Sequence, residues 1–233
     1  MIKLSFIIFI PLLLLAQTEE ENYMFKEGKA IYQQTCVACH GNDGKTNQSM
    51  QLLVKPRTLV KTILTQEQSF QIIKEGAHFW GARADIMPSF KSIYSDDDIR
   101  SVAFYISKAF NPNRDEKVNK LLEESKTKLL SEEKLLKDGH KIFKRNCSLC
   151  HGITGNGESA YVEQSKENDN LIYPYNLTRT LLTEEQVFLY AKYGGHFWGA
   201  DKTDMPSWKK KYNDEKLKAV ARYVHLKIKK IKE

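Results

Sequence analysis

The chain of 233 residues has no cysteine to spare. All four stand inside two short runs, so no thiol remains for a structural disulfide, and neither half has a further cysteine to complete a zinc site. No segment alternates apolar and polar residues as a half-buried strand would, so helix is the only regular element the pattern supports. The apolar run Ile2–Ala16 is 15 residues long, short of the roughly 20 that cross a bilayer. Methionine is scarce too, and Met205 is the only one after Met87. Hydrophobic residues make up 41%, enough for modest cores to which a bound apolar group would add substantially.

The cysteines themselves are informative. Cys36-Val37-Ala38-Cys39-His40 returns 111 positions later as Cys147-Ser148-Leu149-Cys150-His151. Two thiols at this spacing can form thioethers to the two vinyl groups of one porphyrin. The imidazole that follows is then placed under the ring, where it can bind iron. A redox C-x-x-C motif would need a strand-to-helix context, whereas helical sequence precedes both runs. The expectation is two covalently bound haem c groups, held by Cys36, Cys39, Cys147 and Cys150.

The repeat extends well beyond these runs. Pro56-Arg57-Thr58-Leu59 answers Pro174-Tyr175-Asn176-Leu177, Gly76-Ala77-His78-Phe79-Trp80-Gly81-Ala82 answers Gly194-Gly195-His196-Phe197-Trp198-Gly199-Ala200, and Met87-Pro88-Ser89-Phe90 answers Met205-Pro206-Ser207-Trp208. The offset there is 118, so the second copy carries seven extra residues between His151 and Pro174, read as a lengthened surface loop over 155–173. Each copy reads as three helices. The first leads into the haem run, over 23–35 and 132–146. The second opens on a capping box, Thr65 with Gln68 or Thr183 with Gln186, and stops at Gly76 or Gly194. The third places Ile99, Val102, Ala103 and Ile106, or Leu217, Val220, Ala221 and Val224, on one face. Residues 23–110 and 132–229 form the two domains, joined by a charged linker over 111–131 that has helical content of its own and could pack on both.

Residues 1–16 read as a secretory signal peptide: Lys3, then an apolar stretch from Phe6 to Leu15, then Ala16 before Gln17-Thr18-Glu19-Glu20-Glu21. The rival is an uncleaved anchor. The formal net charge is +7, with lysine runs at Lys209–Lys211 and Lys227–Lys232. In an exported protein this points to solvation or an acidic protein partner rather than nucleic acid.

With C-x-x-C-H-G, a Pro before a Leu downstream and Met-Pro before the last helix, each copy resembles the class I c-type cytochromes, and the chain resembles their tandem dihaem form. The resemblance implies an all-α fold of two small domains, each wrapped round one covalent haem. It implies His40 and His151 as proximal ligands and Met87 and Met205 as distal ligands. It puts at Pro56 and Pro174 the backbone carbonyl that accepts a hydrogen bond from the proximal imidazole. It also implies outer-sphere electron transfer between redox protein partners in the periplasm, with no small-molecule substrate, no catalysis, and contact with a membrane only through partners. Two alternatives stand beside this carrier: a cytochrome subunit of a membrane respiratory complex, anchored facing the periplasm, and a dihaem peroxidase.

His78 and His196 rival the methionines as sixth ligands, since each lies nine residues before its Met. Otherwise they belong near a haem edge, or beside Trp80 and Trp198, which read as pocket wall. His140 and His225 have no counterparts and read as helix packing. Arg57, Arg83 and Arg179 are further candidates for a haem carboxylate, none of them matched by an Arg in the other copy.

Overall fold

The computed structural model describes residues 9–46, 56–82, 87–125, 131–167, 174–200 and 205–231, with side chains from Glu19 onward. Arg83 and Leu129 lie outside the described residues, as do residues 1–8 of the expected signal. Helix α1 spans Phe9–Ile31. The expected boundary at Ala16 therefore marks no break in the backbone. Leu12–Leu15 and Ala16 are strong helix formers. No helix among the described residues is long and apolar enough to cross a membrane.

After α1 come α2 (Gln66–Glu75) and α3 (Asp96–Phe110), the linker helix α4 (Arg114–Glu123), then α5 (Glu132–Ile142), α6 (Ala160–Glu167), α7 (Glu184–Tyr193) and α8 (Asp214–Tyr223). No strand occurs among the described residues. The predicted caps are present. Thr65 and Thr183 accept from the backbone N–H of Gln68 and Gln186, and both glutamines return a bond to the threonine N–H. Ser95 and Asp98 form a third capping box at α3. The predicted faces of the last helices are buried: Ile99, Val102, Ala103 and Ile106 in α3, with Leu217, Val220, Ala221 and Val224 in and just beyond α8.

In each copy the first helix crosses the last at a glycine. A β-carbon on Gly28 would stand 1.9 Å from the Ser101 carbonyl oxygen, and one on Gly139 would stand 2.1 Å from that of Ala219. A glycine inside a helix costs about 1 kcal/mol against alanine. Here the missing side chain is what lets the two backbones meet.

The inserted segment of the second copy is not wholly loop. Ser159 Oγ accepts from Val162 N at 3.2 Å, α6 follows, and Val162 is buried. A hydroxyl cap and one apolar anchor suffice for this short helix.

Three cores result. Ile31, Tyr32, Phe70 and Ile73 pack with α3 in the first copy, and Ile142, Phe143 and Ile228 pack with Val220 and Val224 in the second. The third core joins Ile63 of the first copy and Val118 of the linker to Phe188, Leu189, Trp198 and Leu217 of the second. Burying side chains of this size contributes about 1.5–3 kcal/mol each. The linker therefore packs on both copies. Arg114 Nε donates to the Ile63 carbonyl at 2.8 Å, and Lys192 Nζ donates to Ser125 Oγ at 2.6 Å.

The copies also meet through a set of reciprocal bonds. The Gln68 and Gln186 side-chain amides exchange two hydrogen bonds of 2.8 Å. The spare N–H of Gln68 reaches the Leu181 carbonyl, and that of Gln186 reaches the carbonyl of its counterpart, Ile63. Thr58 N donates to the Gly199 carbonyl at 2.9 Å, and Asn176 N donates to the Gly81 carbonyl at 2.8 Å. Every member has its mirror in the other copy, so the two halves are related by a local two-fold, as in an isologous dimer interface.

Candidate haem sites

The two haem runs are built alike. A π-helical turn, Tyr32–Cys36 or Phe143–Cys147, ends on the first cysteine, and a short α-helical turn, Val37–His40 or Ser148–His151, carries the second cysteine and the histidine. Such π-turns are rare and concentrate at functional sites. Gly41 and Gly152 end the turns at φ of 71° and 75°, a conformation that suits glycine.

None of the four cysteines is in a disulfide, and all are half-buried. Burial, reinforced by the neighbouring Cys39, pushes the Cys36 thiol up to about 11; burial and Cys150 push Cys147 up to about 12. These are not the low-pKa thiols of a redox or nucleophilic centre. Among the described residues no three His, Cys, Asp or Glu side chains converge on a point that could hold a bare metal ion. The two sulfurs and the imidazole are instead spread round a helical turn, as attachment to a flat macrocycle needs.

His151 Nδ1 lies 2.9 Å from the Tyr175 carbonyl oxygen. That contact sets Nδ1 as the donor and leaves Nε2 as the nitrogen for a metal. The expected carbonyl was that of Pro174, so the acceptor falls one residue later. In the first copy the Pro56 carbonyl is taken by Thr46 Oγ1 at 2.9 Å, and the Arg57 carbonyl faces His40. It raises the basicity of His40 but lies outside hydrogen-bonding geometry, so the buried Nδ1 makes no bond. Burial holds both imidazoles below the ordinary histidine range, which favours the neutral form that ligates metals.

Each methionine sits on a strap pinned to the end of the second helix. The Met87 carbonyl accepts from Ala77 N at 3.0 Å and the Met205 carbonyl from Gly195 N at 3.1 Å. Ser89 Oγ and Ser207 Oγ donate to the carbonyls of Lys74 and Lys192, each at 2.7 Å. A β-carbon on Gly76 or Gly194 would meet the following strap nitrogen at 2.9 Å, so these glycines allow the close approach as well as ending their helices. Met87 packs against the same core as Cys36. The chain's residues therefore fit a covalent haem: thiols outside any disulfide at the right spacing, an imidazole that in the second copy has its far nitrogen directed, and a thioether carried on a fixed strap.

The remaining candidates have other work. His78 and His196 are exposed, and each sets Nδ1 3.1 Å from the carbonyl oxygen of Ala82 or Ala200 in its own turn. Trp80 and Trp198 donate to the carbonyls of Gln71 and Leu189, and Trp198 is buried in the core between the copies. Gly81 and Gly199 approach the backbone of the other copy so closely that a β-carbon would stand 2.4 Å from the Asn176 oxygen or 2.7 Å from that of Thr58. The His-Phe-Trp-Gly-Ala segments thus form the interface between copies. Only their repetition marked them in the sequence. His140 stacks on Tyr223 at 5.2 Å, and His225 Nδ1 is buried without a partner. Arg179 lies 4.8 Å above the Phe79 ring, a contact that also crosses between copies.

The family description "Cytochrome C oxidase, cbb3-type, subunit III" matches the chain twice, over residues 24–106 and 134–224. The chain belongs to that family. It is a two-domain c-type cytochrome, and this membership carries electron transfer on covalently held haem c. Among solved structures it is similar to a chain of the Kuenenia stuttgartiensis reducing HAO-like protein complex. The identity is 21%, covering 85% of this chain and 94% of that one, at a TM-score of 0.44.

Proposed function

We propose that the chain carries two haems, one on each C-x-x-C-H run, and works as an exported, periplasmic electron carrier between redox protein partners rather than as an enzyme. Cys36 and Cys39 would hold the first haem with His40 and Met87 as axial ligands. Cys147 and Cys150 would hold the second with His151 and Met205. The observation that carries this reading is the duplication of the whole arrangement: π-turn, helical turn, carbonyl facing the imidazole, and pinned methionine strap.

When bound, haem supplies one-electron chemistry at iron. The chain's own residues supply the rest. The thioether links would fix the macrocycle. The Tyr175 carbonyl orients the His151 ring and increases its basicity. The strap bonds hold each methionine in position, and methionine ligation raises a haem potential. Were His40 and Met87, and likewise His151 and Met205, both to hold the iron of their haem, no position would be left for a substrate. That favours outer-sphere transfer over the peroxidase alternative.

The intact holoprotein tests this by mass. We expect the polypeptide plus two haems that acidified solvent does not extract. Replacing Cys36 and Cys39 by serine would remove one, and replacing Cys147 and Cys150 would remove the other. A single haem, or extractable haem, overturns the reading. A second reading, a cytochrome subunit of a membrane-bound respiratory complex, is favoured by the family's description. Cleavage after Ala16 and recovery in the periplasmic fraction support the carrier; a retained N-terminus that sediments with membranes supports the subunit.

A further inference from the structure

Arg57 and Tyr175 occupy the same position in the two copies, one residue after Pro56 and Pro174. Each presents its backbone carbonyl to the proximal histidine of its own copy, Tyr175 to His151 and Arg57 to His40. Their side chains meet across the interface, the Arg57 guanidinium carbon lying 5.0 Å from the centre of the Tyr175 ring and 5.4 Å from that of Tyr190. Arg57 Nη1 also donates to Tyr190 Oη at 2.5 Å. Among the described residues no carboxylate pairs with this guanidinium. Burial works against its charge, and the groups that hold it are the Tyr190 hydroxyl and the faces of the two tyrosine rings.

A cation in this place is unusual. Arginines at interfaces normally find an acid, and here two tyrosines take its place. The position lies at the contact between copies: the Arg57 backbone faces His40, and its guanidinium lies against the ring of Tyr175, whose carbonyl accepts from His151. A charge held there would act on an iron bound in either copy. A fixed positive charge disfavours the ferric state, which carries one positive charge more than the ferrous. A unit charge at about 10 Å in an effective dielectric of about 20 changes a one-electron equilibrium about tenfold.

We infer that Arg57 is a positioning residue shared by the two copies, whose guanidinium, held by tyrosines and with no carboxylate partner among the described residues, raises the reduction potential of both haem irons together. The inference rests on the two-haem reading above. It assigns the interface an electrostatic part in the redox chemistry, beyond holding the domains together.

The test is a spectroelectrochemical titration of holoprotein whose two haems have first been counted by mass. A count of one would overturn the two-haem reading itself, before any Arg57 variant is compared. With two haems present, Arg57→Gln is expected to lower both midpoints, each by about tenfold in the reduction equilibrium constant, about 59 mV for a one-electron couple. Arg57→Lys keeps the charge and is expected to leave both within about twofold of the parent, about 18 mV on the same scale. Gln68→Ala loosens the interface without touching the charge, and both midpoints should stay in place. If Arg57→Gln fails to fold, Arg57→Met, which keeps the apolar stem and drops the charge, carries the same expectation: both midpoints fall about tenfold, and no fall overturns the inference. Lowering of both midpoints by Arg57→Lys or by Gln68→Ala would show packing rather than charge. Movement of one midpoint only in Arg57→Gln, or of neither, would also overturn the inference.

Discussion

The two copies share every candidate ligand, yet their surroundings differ. His151 has a carbonyl partner for Nδ1 at 2.9 Å, while the Nδ1 of His40 has none. Trp198 is buried in the inter-copy core, while Trp80 is only half-buried. Met87 packs against the core that holds Cys36, and Met205 joins none of the three cores. The position facing the proximal histidine is Arg57 in one copy and Tyr175 in the other. The two copies keep the same candidate ligands and differ in what surrounds them. Since the second layer tunes a haem, the two sites are expected to be equal in ligand type and unequal in potential.

The direction follows from the imidazole. A hydrogen bond accepted by the Tyr175 carbonyl makes His151 the stronger donor to iron, which favours the ferric state. The second haem is therefore expected to have the lower potential. Replacing either methionine by leucine sharpens the comparison. Met87→Leu would lower the higher-potential step and Met205→Leu the lower one, each with loss of its own sulfur-to-iron charge-transfer band. If His78→Ala or His196→Ala removes the band and the methionine changes do not, the ligands are the histidines.

The helix crossings provide a stability test in which the copies should agree. Gly28→Ala and Gly139→Ala each force a β-carbon into a carbonyl oxygen of the last helix. Overpacking of this kind costs about 1–3 kcal/mol. Denaturant midpoints should fall in both variants, by similar amounts. A fall in only one would show that the crossings are not equivalent.

The smallest expected effect concerns the basic surface, which is confined to neither copy but has its lysine runs in the second. Lys211 is engaged, donating to Asn146 Oδ1 at 2.8 Å, which leaves Lys209 and Lys210 as the better candidates for steering an acidic partner. Lys209→Glu with Lys210→Glu should slow electron transfer to such a partner at low salt. The effect should fade as the Debye length shortens to about 8 Å near physiological ionic strength. Rates independent of salt would leave the charge a matter of solvation.

What the sequence made legible was local. The haem runs, the capping boxes at Thr65 and Thr183, and the buried faces of the last helices follow from spacing within one element. Features that depend on which residue meets which were not legible. Gln68 and Gln186 read as caps, and nothing in their spacing says that their amides also bond one another. Gly28 and Gly139 look like poor helix residues until the crossing helix is in view. The proximal carbonyl belongs to Tyr175 rather than Pro174, a one-residue difference that depends on how the turn after the proline folds and not on spacing. The His-Phe-Trp-Gly-Ala segments announced their importance by repetition alone, and their part in joining the copies needed the backbone contacts of Gly81 and Gly199.

Two haems with the same ligands in unequal surroundings would be resolved by a reductive spectroelectrochemical titration of the parent holoprotein. We expect two one-electron steps of equal amplitude at separate midpoints, both low-spin with methionine ligation, the lower belonging to the copy of His151. A single step with the amplitude of one haem, or two haems with indistinguishable midpoints, would contradict it.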